Sequence, residues 1–241
     1  MTSRRRWLPA WVLLAAAPVS LAAQTPGQAD SFRRERFAMV DLIVRRGVKD
    51  SATLAAMRAV PRHQFVPSEF QSRAYGDHPI PIALGQTISQ PYIVAYMTEM
   101  ARVRSGLKVL EVGTGSGYQA AVLDHIGCRV FTIEIFQALA DSARVRLARL
   151  GFQGVTVRHG DGHFGWPEQA PFDAILVTAA AGYIPPDLVD QLKPGGRMLI
   201  PVGSVGGVQH LILVEKNTGG KVSTRSLLPV AFVPLLRPPS R

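Results

Sequence analysis

The stretch Val109-Leu110-Glu111-Val112-Gly113-Thr114-Gly115-Ser116-Gly117-Tyr118 constrains this chain more than any other. An apolar run holding one acid leads into three glycines at alternate positions, which reads as a buried strand, a tight turn and the start of a helix. Glycine permits φ > 0 in such a turn and leaves no Cβ where a ligand must approach the backbone. The helix opening at Gly117 presents unpaired N–H groups to the same space. A second acid, Glu134, closes the next apolar run, Val130-Phe131-Thr132-Ile133. An acid at the end of the second strand, about twenty residues on, is where a ribose diol is held in nucleotide-binding α/β folds. The pattern predicts a nucleoside-containing cofactor at the carboxyl edge of a parallel sheet.

The rest of the chain alternates as that sheet requires. Helices are expected at 32–46, 51–59 (capped by Asp50 or Ser51), 92–103, 118–126, 137–150 and about 186–192, the last stopped by Lys193-Pro194-Gly195-Gly196. Strands are expected at 108–112, 129–134, 155–158, 172–178, 197–202, 208–215 and 223–234, the final pair joined through Asn217-Thr218-Gly219-Gly220. Ile93, Tyr96, Met97, Met100 and Val103 form one helical face and read as core. The class is therefore α/β, a doubly wound, mostly parallel sheet with helices on both faces and a C-terminal antiparallel hairpin. With 241 residues, 47% of them hydrophobic, one domain of this kind can bury a full core.

Residues 1–23 read as a targeting segment: Arg4-Arg5-Arg6 precedes the short apolar run 11–21, and Ser20-Leu21-Ala22-Ala23 offers small residues for cleavage. Ser3-Arg4-Arg5-Arg6-Trp7-Leu8 also resembles a twin-arginine export signal. The run is short and interrupted by Pro18, so stable membrane insertion is not expected. Residues 24–30 read as a linker and 31–241 as the folded domain. The segment points to export, whereas the cofactor inferred below is made in the cytosol; the compartment stays open between the two. The formal charge of +10 is spread over short doublets such as Arg33-Arg34 and Arg45-Arg46 without interleaved aromatics, a solvated basic surface rather than a nucleic-acid stripe. The single cysteine, Cys128, excludes an intramolecular disulfide and reads as a small buried thiol. The six histidines form no metal-ligand set; His159 and His163 flank Gly160 and Gly162 in a turn, so no metal is expected.

Glycine spacing narrows the cofactor. A dinucleotide fold uses G-x-G-x-x-G with a helix N-terminus for pyrophosphate. Here the run is G-x-G-x-G preceded by Glu111, an acid that repels pyrophosphate but suits a ligand carrying an ammonium and a sulfonium. This E-x-G-x-G-x-G pattern resembles the first motif of class I S-adenosylmethionine-dependent methyltransferases. Gly85-Gln86-Thr87-Ile88-Ser89-Gln90-Pro91-Tyr92, Arg158-His159-Gly160-Asp161-Gly162, Phe172-Asp173-Ala174-Ile175-Leu176-Val177-Thr178-Ala179-Ala180 and Leu192-Lys193-Pro194-Gly195-Gly196 accompany it in order. Together they resemble the protein-L-isoaspartate O-methyltransferase family over residues 31–235. G-Q-T-I-S-Q-P is the specific element; the glycine turn and Lys-Pro-Gly-Gly are shared widely. Ala83 departs from the family's I-G-x-G-Q-T, and Leu236 ends the Phe232-Val233-Pro234-Leu235 segment without a polar side chain.

The resemblance implies a Rossmann-like methyltransferase sheet, with a helical substrate-side extension at about 31–105 and a cofactor-binding core at about 106–241. It implies methyl transfer from S-adenosyl-L-methionine to the free α-carboxylate of L-isoaspartyl residues in damaged proteins and peptides, with D-aspartyl residues as a further candidate substrate. The methyl ester then closes to a succinimide that initiates repair. A monomer without a nucleic-acid partner is expected. Glu111 and the turn Gly113, Thr114, Gly115, Ser116 and Gly117 are expected to hold the methionine part, Glu134 the ribose, and Asp161 with Gly162 the adenine. Ser89, placed at the N-cap of the 92–103 helix, is expected to orient the reacting carboxylate; a plain helix cap is the alternative. An α-carboxylate is already ionised at neutral pH, so no general base is expected and orientation carries the catalysis.

Rival readings differ in class. A class I methyltransferase acting on a small molecule or nucleic acid is the nearest alternative, but Thr178-Ala179-Ala180-Ala181 stands where base-amino methylation uses an N/D-P-P-Y motif. A nicotinamide oxidoreductase is disfavoured by the glycine spacing and by the lack of a Tyr-x-x-x-Lys. A non-enzymatic binding protein that retains the cofactor fold is disfavoured by the intact motif set.

Overall fold

Apolar residues at three- and four-residue spacing wind the start of the domain into α1 (Arg33–Arg45), whose Met39, Val40 and Ile43 are buried. A computed structural model describes residues 31–204 and 206–237; the expected export segment and linker lie outside the described residues. In α2 (Ser51–Ala59), Asp50 rather than Ser51 is the cap, and its carboxylate accepts the Thr53 N–H. Two 3-10 turns, Arg62–Phe65 and Ser68–Arg73, lead to a short hairpin of β1 (Ile80–Pro81) and β2 (Thr87–Ile88). This hairpin holds most of the Gly85–Gln90 motif, a segment in which no periodicity marks an element.

α3 (Pro91–Met100) ends three residues before the expected boundary, because Ala101 caps it and Arg102 turns to φ +53. Ile93, Met97 and Val103 are nevertheless buried as expected. Then β3 (Lys108–Val112), α4 (Tyr118–His125), β4 (Arg129–Glu134), α5 (Gln137–Arg149), β5 (Val155–His159), β6 (Phe172–Val177), α6 (Pro186–Asp190), β7 (Leu192–Val202), β8 (Gln209–Lys216) and β9 (Val222–Val230) follow. They build one sheet in the order β5-β4-β3-β6-β7-β8-β9. The pairs from β5 to β7 are parallel, and β8 and β9 return antiparallel. The chain leaves β3 to one side through β4 and β5 and returns on the other side as β6, so a switch point lies between β3 and β6.

Alternation along the strands feeds two cores. Val109, Val130, Ala174, Leu176 and Leu199 meet Ile93 and Met97 of α3 and Leu123 of α4. Leu110, Ile133, Ile175, Val177 and Met198 meet Leu188 of α6 on the opposite face. The Lys193-Pro194-Gly195-Gly196 motif does not stop α6, which ends at Asp190 with Gln191 as its cap. It interrupts the β6–β7 ladder instead, since Leu192 pairs with Phe172 and Arg197 with Ala174. Gly196 lies so close to the Lys193 and Asp173 carbonyls that a Cβ would stand 2.8 and 2.9 Å from them. No helix among the described residues is long and apolar enough to cross a membrane.

Candidate cofactor site at the carboxyl edge of the sheet

Glu111 is the third residue from Val109's side of β3 and pairs in register with Thr132 of β4. Period two puts Val109 and Glu111 on one face, with Val130, Thr132 and Glu134 beside them. The polar end of this face is almost closed to solvent: Glu111 is 1% exposed and Glu134 5%. Thr132 Oγ1 donates to Glu111 Oε2 at 2.6 Å and lies 2.6 Å from Thr114 Oγ1, a relay of two hydroxyls ending on the carboxylate. Glu111 Oε1 has no hydrogen-bond partner. Burial pushes this carboxyl up to about 8, against the pull of the Thr132 hydroxyl, and the neighbouring Glu134 adds to the rise.

Glu134 ties the glycine turn to the next loop. Its Oε2 accepts Gly115 N–H at 2.8 Å and its Oε1 accepts Phe136 N–H at 3.1 Å. Each carboxylate oxygen keeps capacity for a further donor. The turn itself needs glycine dihedrals, with φ of +100, +51 and +87 at Gly113, Gly115 and Gly117. The space left by the missing Cβ atoms corrects one expectation. At Gly113 it is taken by Thr178 Oγ1, which would stand 2.5 Å from a Cβ, and at Gly117 by Leu147. Only at Gly115, whose nearest neighbour is Ile82 Cδ1 at 3.6 Å, does open room remain. Ser116 Oγ accepts Tyr118 N–H at 3.3 Å while its carbonyl accepts from Arg146 at 3.0 Å; Gly117 caps α4.

One cavity brings most of the expected residues together. Ser89, Glu111 and Glu134 line it with Gly113, Thr114, Gly115, Ser116 and Gly162. Ser89 is not the N-cap of α3: Gln90 is, because Pro91 occupies the first helical position. The helix-cap alternative for Ser89 is therefore removed. Asp161 lies in an adjoining cavity with His159 and Gly160, separated from the first by Ile135, Phe136 and Leu236, which border both. Its Oδ1 caps a 3-10 turn, accepting from His163 N and lying 2.9 Å from His163 Nδ1. Cys128 lines neither cavity. It is buried against the Arg104 carbonyl, and burial pushes its thiol up to about 12.

Among the lining residues to which the sequence assigns no role are Gln119, Thr178 and Phe136. Gln119, in the first turn of α4, donates from Nε2 to Thr98 Oγ1 at 2.9 Å and leaves a buried Oε1 without a partner. Thr178 follows β6 and donates to the Gly113 carbonyl at 2.6 Å, joining the two sides of the switch point. Phe136 presents a ring between the two cavities. The only signals in sequence were a lone amide and hydroxyls within apolar elements. Chemically, Glu111 Oε1 and Gln119 Oε1 are buried acceptors bordering one cavity, an environment that suits a cationic group carrying several N–H donors.

Comparison with known proteins agrees with this arrangement. The chain matches the family model described as protein-L-isoaspartate(D-aspartate) O-methyltransferase over residues 34–238. It is 63% identical over 186 residues to protein-L-isoaspartate O-methyltransferase 2 of Polaromonas sp., covering 77% of this chain and 88% of that one. A solved protein-L-isoaspartate O-methyltransferase superposes with a TM-score of 0.74 at 28% identity, covering 83% of this chain and 65% of that longer one. A structure from Plasmodium falciparum, described as a beta-aspartate methyltransferase in complex with S-adenosyl-L-homocysteine, superposes with a TM-score of 0.71 at 25% identity, over 83% of this chain and 98% of that one.

Proposed function

The chain belongs to the protein-L-isoaspartate O-methyltransferase family, and from that premise we propose which of its residues carry out methyl transfer to the free α-carboxylate of L-isoaspartyl residues in damaged proteins. Bound S-adenosyl-L-methionine supplies an electrophilic sulfonium methyl. Everything else in the step is binding and orientation by this chain.

The observation that carries the assignment is the pair of unpartnered buried acceptors, Glu111 Oε1 and Gln119 Oε1. A carboxylate this buried is costly unless a cation meets it, and the methionine ammonium is such a cation. Gly113, Thr114, Gly115 and Ser116 enclose the methionine portion; Gly117, which does not line the cavity, serves as the N-cap of α4. Glu134 already orients through Gly115 and Phe136 N–H, and its remaining lone pairs face the ribose hydroxyls. Asp161, in the adjoining cavity, and Gly162, in the first, take the adenine edge from either side of Phe136 and Leu236, which border both cavities and supply apolar walls. Ser89, across the cavity from the glycine turn, donates its hydroxyl to the isoaspartyl α-carboxylate and holds it in line with the methyl.

The nucleophile is ionised at neutral pH, so the chain need not remove a proton from it. Holding the two partners in a near-attack arrangement is worth roughly 7–11 kcal/mol in well-oriented systems. The ester product closes to a succinimide outside the enzyme's control, which returns part of the damaged residue to normal aspartate. Protein and peptide substrates, rather than nucleic acid, match the absence of an N/D-P-P-Y motif in Thr178-Ala179-Ala180-Ala181.

Calorimetry tests the central contact. With its carboxyl near 8, Glu111 is protonated in the empty site at pH 7 and loses that proton when an ammonium arrives. Titration of S-adenosyl-L-methionine in buffers of different ionisation heat is expected to show proton release. Glu111→Gln is expected to abolish the release and weaken binding about ten- to a hundredfold, the scale of a hydrogen bond to a charged group. Unchanged affinity in the variant removes Glu111 from the site.

A further inference from the structure

Ser89 sits on a short connection whose two ends are both anchored. On one side Ile88 pairs with Ile80 in the β1–β2 hairpin. On the other, α3 begins with an unusual deficit: its N-cap, Gln90, makes no side-chain cap bond, and Pro91 has no N–H to offer. The first available donor is Tyr92 N–H, and it is taken at 2.9 Å by Oδ1 of Asp77, fifteen residues upstream. The same side chain does more. Asp77 Oδ2 accepts Gln90 Nε2 at 3.0 Å, and the Asp77 carbonyl accepts the same amide at 3.0 Å. Oδ2 also pairs with the Arg46 guanidinium, which stacks over the Tyr92 ring at 3.6 Å from its centroid.

We infer that Asp77 is a positioning residue for the methyl-transfer step, a remote cap that fixes Gln90 and Tyr92 and thereby sets where the Ser89 hydroxyl points. The inference rests on the reading of Ser89 given above. Residues 88, 90 and 92 are each tied down, while the Ser89 side chain between them is left to face the cavity. Asp77 itself lines neither the main cavity nor the one shared by Ser89, Gln90, Tyr92 and Arg46. Its side chain is 9% exposed, so a loose solvent contact does not account for three polar interactions converging on its carboxylate. A carboxylate is needed because one group must accept from a backbone N–H, an amide and a guanidinium at once.

A double-mutant cycle on the full chain tests this. Asp77→Ala, Asp77→Asn, Ser89→Ala and the Asp77→Ala/Ser89→Ala pair are compared for turnover of an isoaspartyl peptide, for S-adenosyl-L-methionine affinity and for melting temperature. Ser89→Ala is expected to lower turnover about ten- to a hundredfold. Asp77→Ala is expected to lower it at least tenfold, with cofactor affinity within twofold of wild type and the pair no slower than Ser89→Ala alone within threefold. Asp77→Asn keeps the side chain's shape and one acceptor but loses the ion pair, and an intermediate loss is expected; it carries the test if the alanine variant does not fold. Wild-type turnover per folded molecule in both Asp77 variants, beside an impaired Ser89→Ala, overturns the positioning role while sparing Ser89. Losses that multiply in the pair overturn it as well, since independent effects do not act through Ser89. Wild-type turnover in Ser89→Ala overturns both readings.

Discussion

Gly113 and Gly115 stand two residues apart in one turn, yet an alanine at each meets different surroundings. At Gly115 the added methyl finds only Ile82 at ordinary contact distance, so the cost is the left-handed backbone, about 1–2 kcal/mol for an L-residue. At Gly113 it meets Thr178 Oγ1, itself held by the Val112 and Gly113 carbonyls, and overpacking adds roughly 1–3 kcal/mol. Chemical denaturation is expected to rank Gly113→Ala well below Gly115→Ala; equal destabilisation contradicts the packing account. Glu111, Glu134 and the glycines were legible because they form contiguous motifs at strand ends. Thr132 and Gln119 were not, since a single hydroxyl or amide in an apolar element reads as packing until strand register and helix phase set it beside the acid. The N-cap position expected for Ser89 falls to Gln90 because Pro91 takes the first helical position, and Asp77 was invisible because its partners lie thirteen to thirty-one residues away.

At the scale of elements, β3, β4 and the glycine-initiated α4 follow from period-two and helical patterning with boundaries within a residue. The β1–β2 hairpin did not, as two-residue strands containing Pro81 carry no alternation to detect. The Lys-Pro-Gly-Gly motif has turn chemistry, but whether a turn ends a helix or bulges a strand is decided by the neighbouring strand, here β6. Pairing β3 with β4 also has an energetic consequence, because it buries the Glu111 carboxyl. Its value rises from the ordinary 4.5 to about 8 in the fold. Between those values the folded chain keeps a proton that the unfolded chain has lost, so unfolding releases it and stability falls as pH rises. Without cofactor, melting temperature is expected to decline from pH 5 to 8 by an amount that Glu111→Gln removes. A slope identical in the variant contradicts the buried-acid assignment.

For the whole molecule, the architecture gathers a cofactor trough at the β3–β6 switch point and sets the α1–α3 extension with its hairpin against it, so that Ser89 and the glycine turn line one cavity. The formal charge of +10 stays outside the cavity that Ser89 shares with the glycine turn: among the described residues no Lys, Arg or His lines it, while the acids Glu111 and Glu134 do. On the proposed role of Ser89, what the molecule selects is the position of the substrate's carboxylate relative to that hydroxyl. An isoaspartyl linkage presents a free α-carboxylate and a normal aspartyl linkage a side-chain carboxylate one methylene away from the backbone. The decisive measurement is methyl transfer from labelled S-adenosyl-L-methionine to two peptides of identical sequence differing only in that linkage. Labelling of the isoaspartyl peptide, with the aspartyl twin essentially untouched, is the expected result; equal labelling of both, or of neither, contradicts the account.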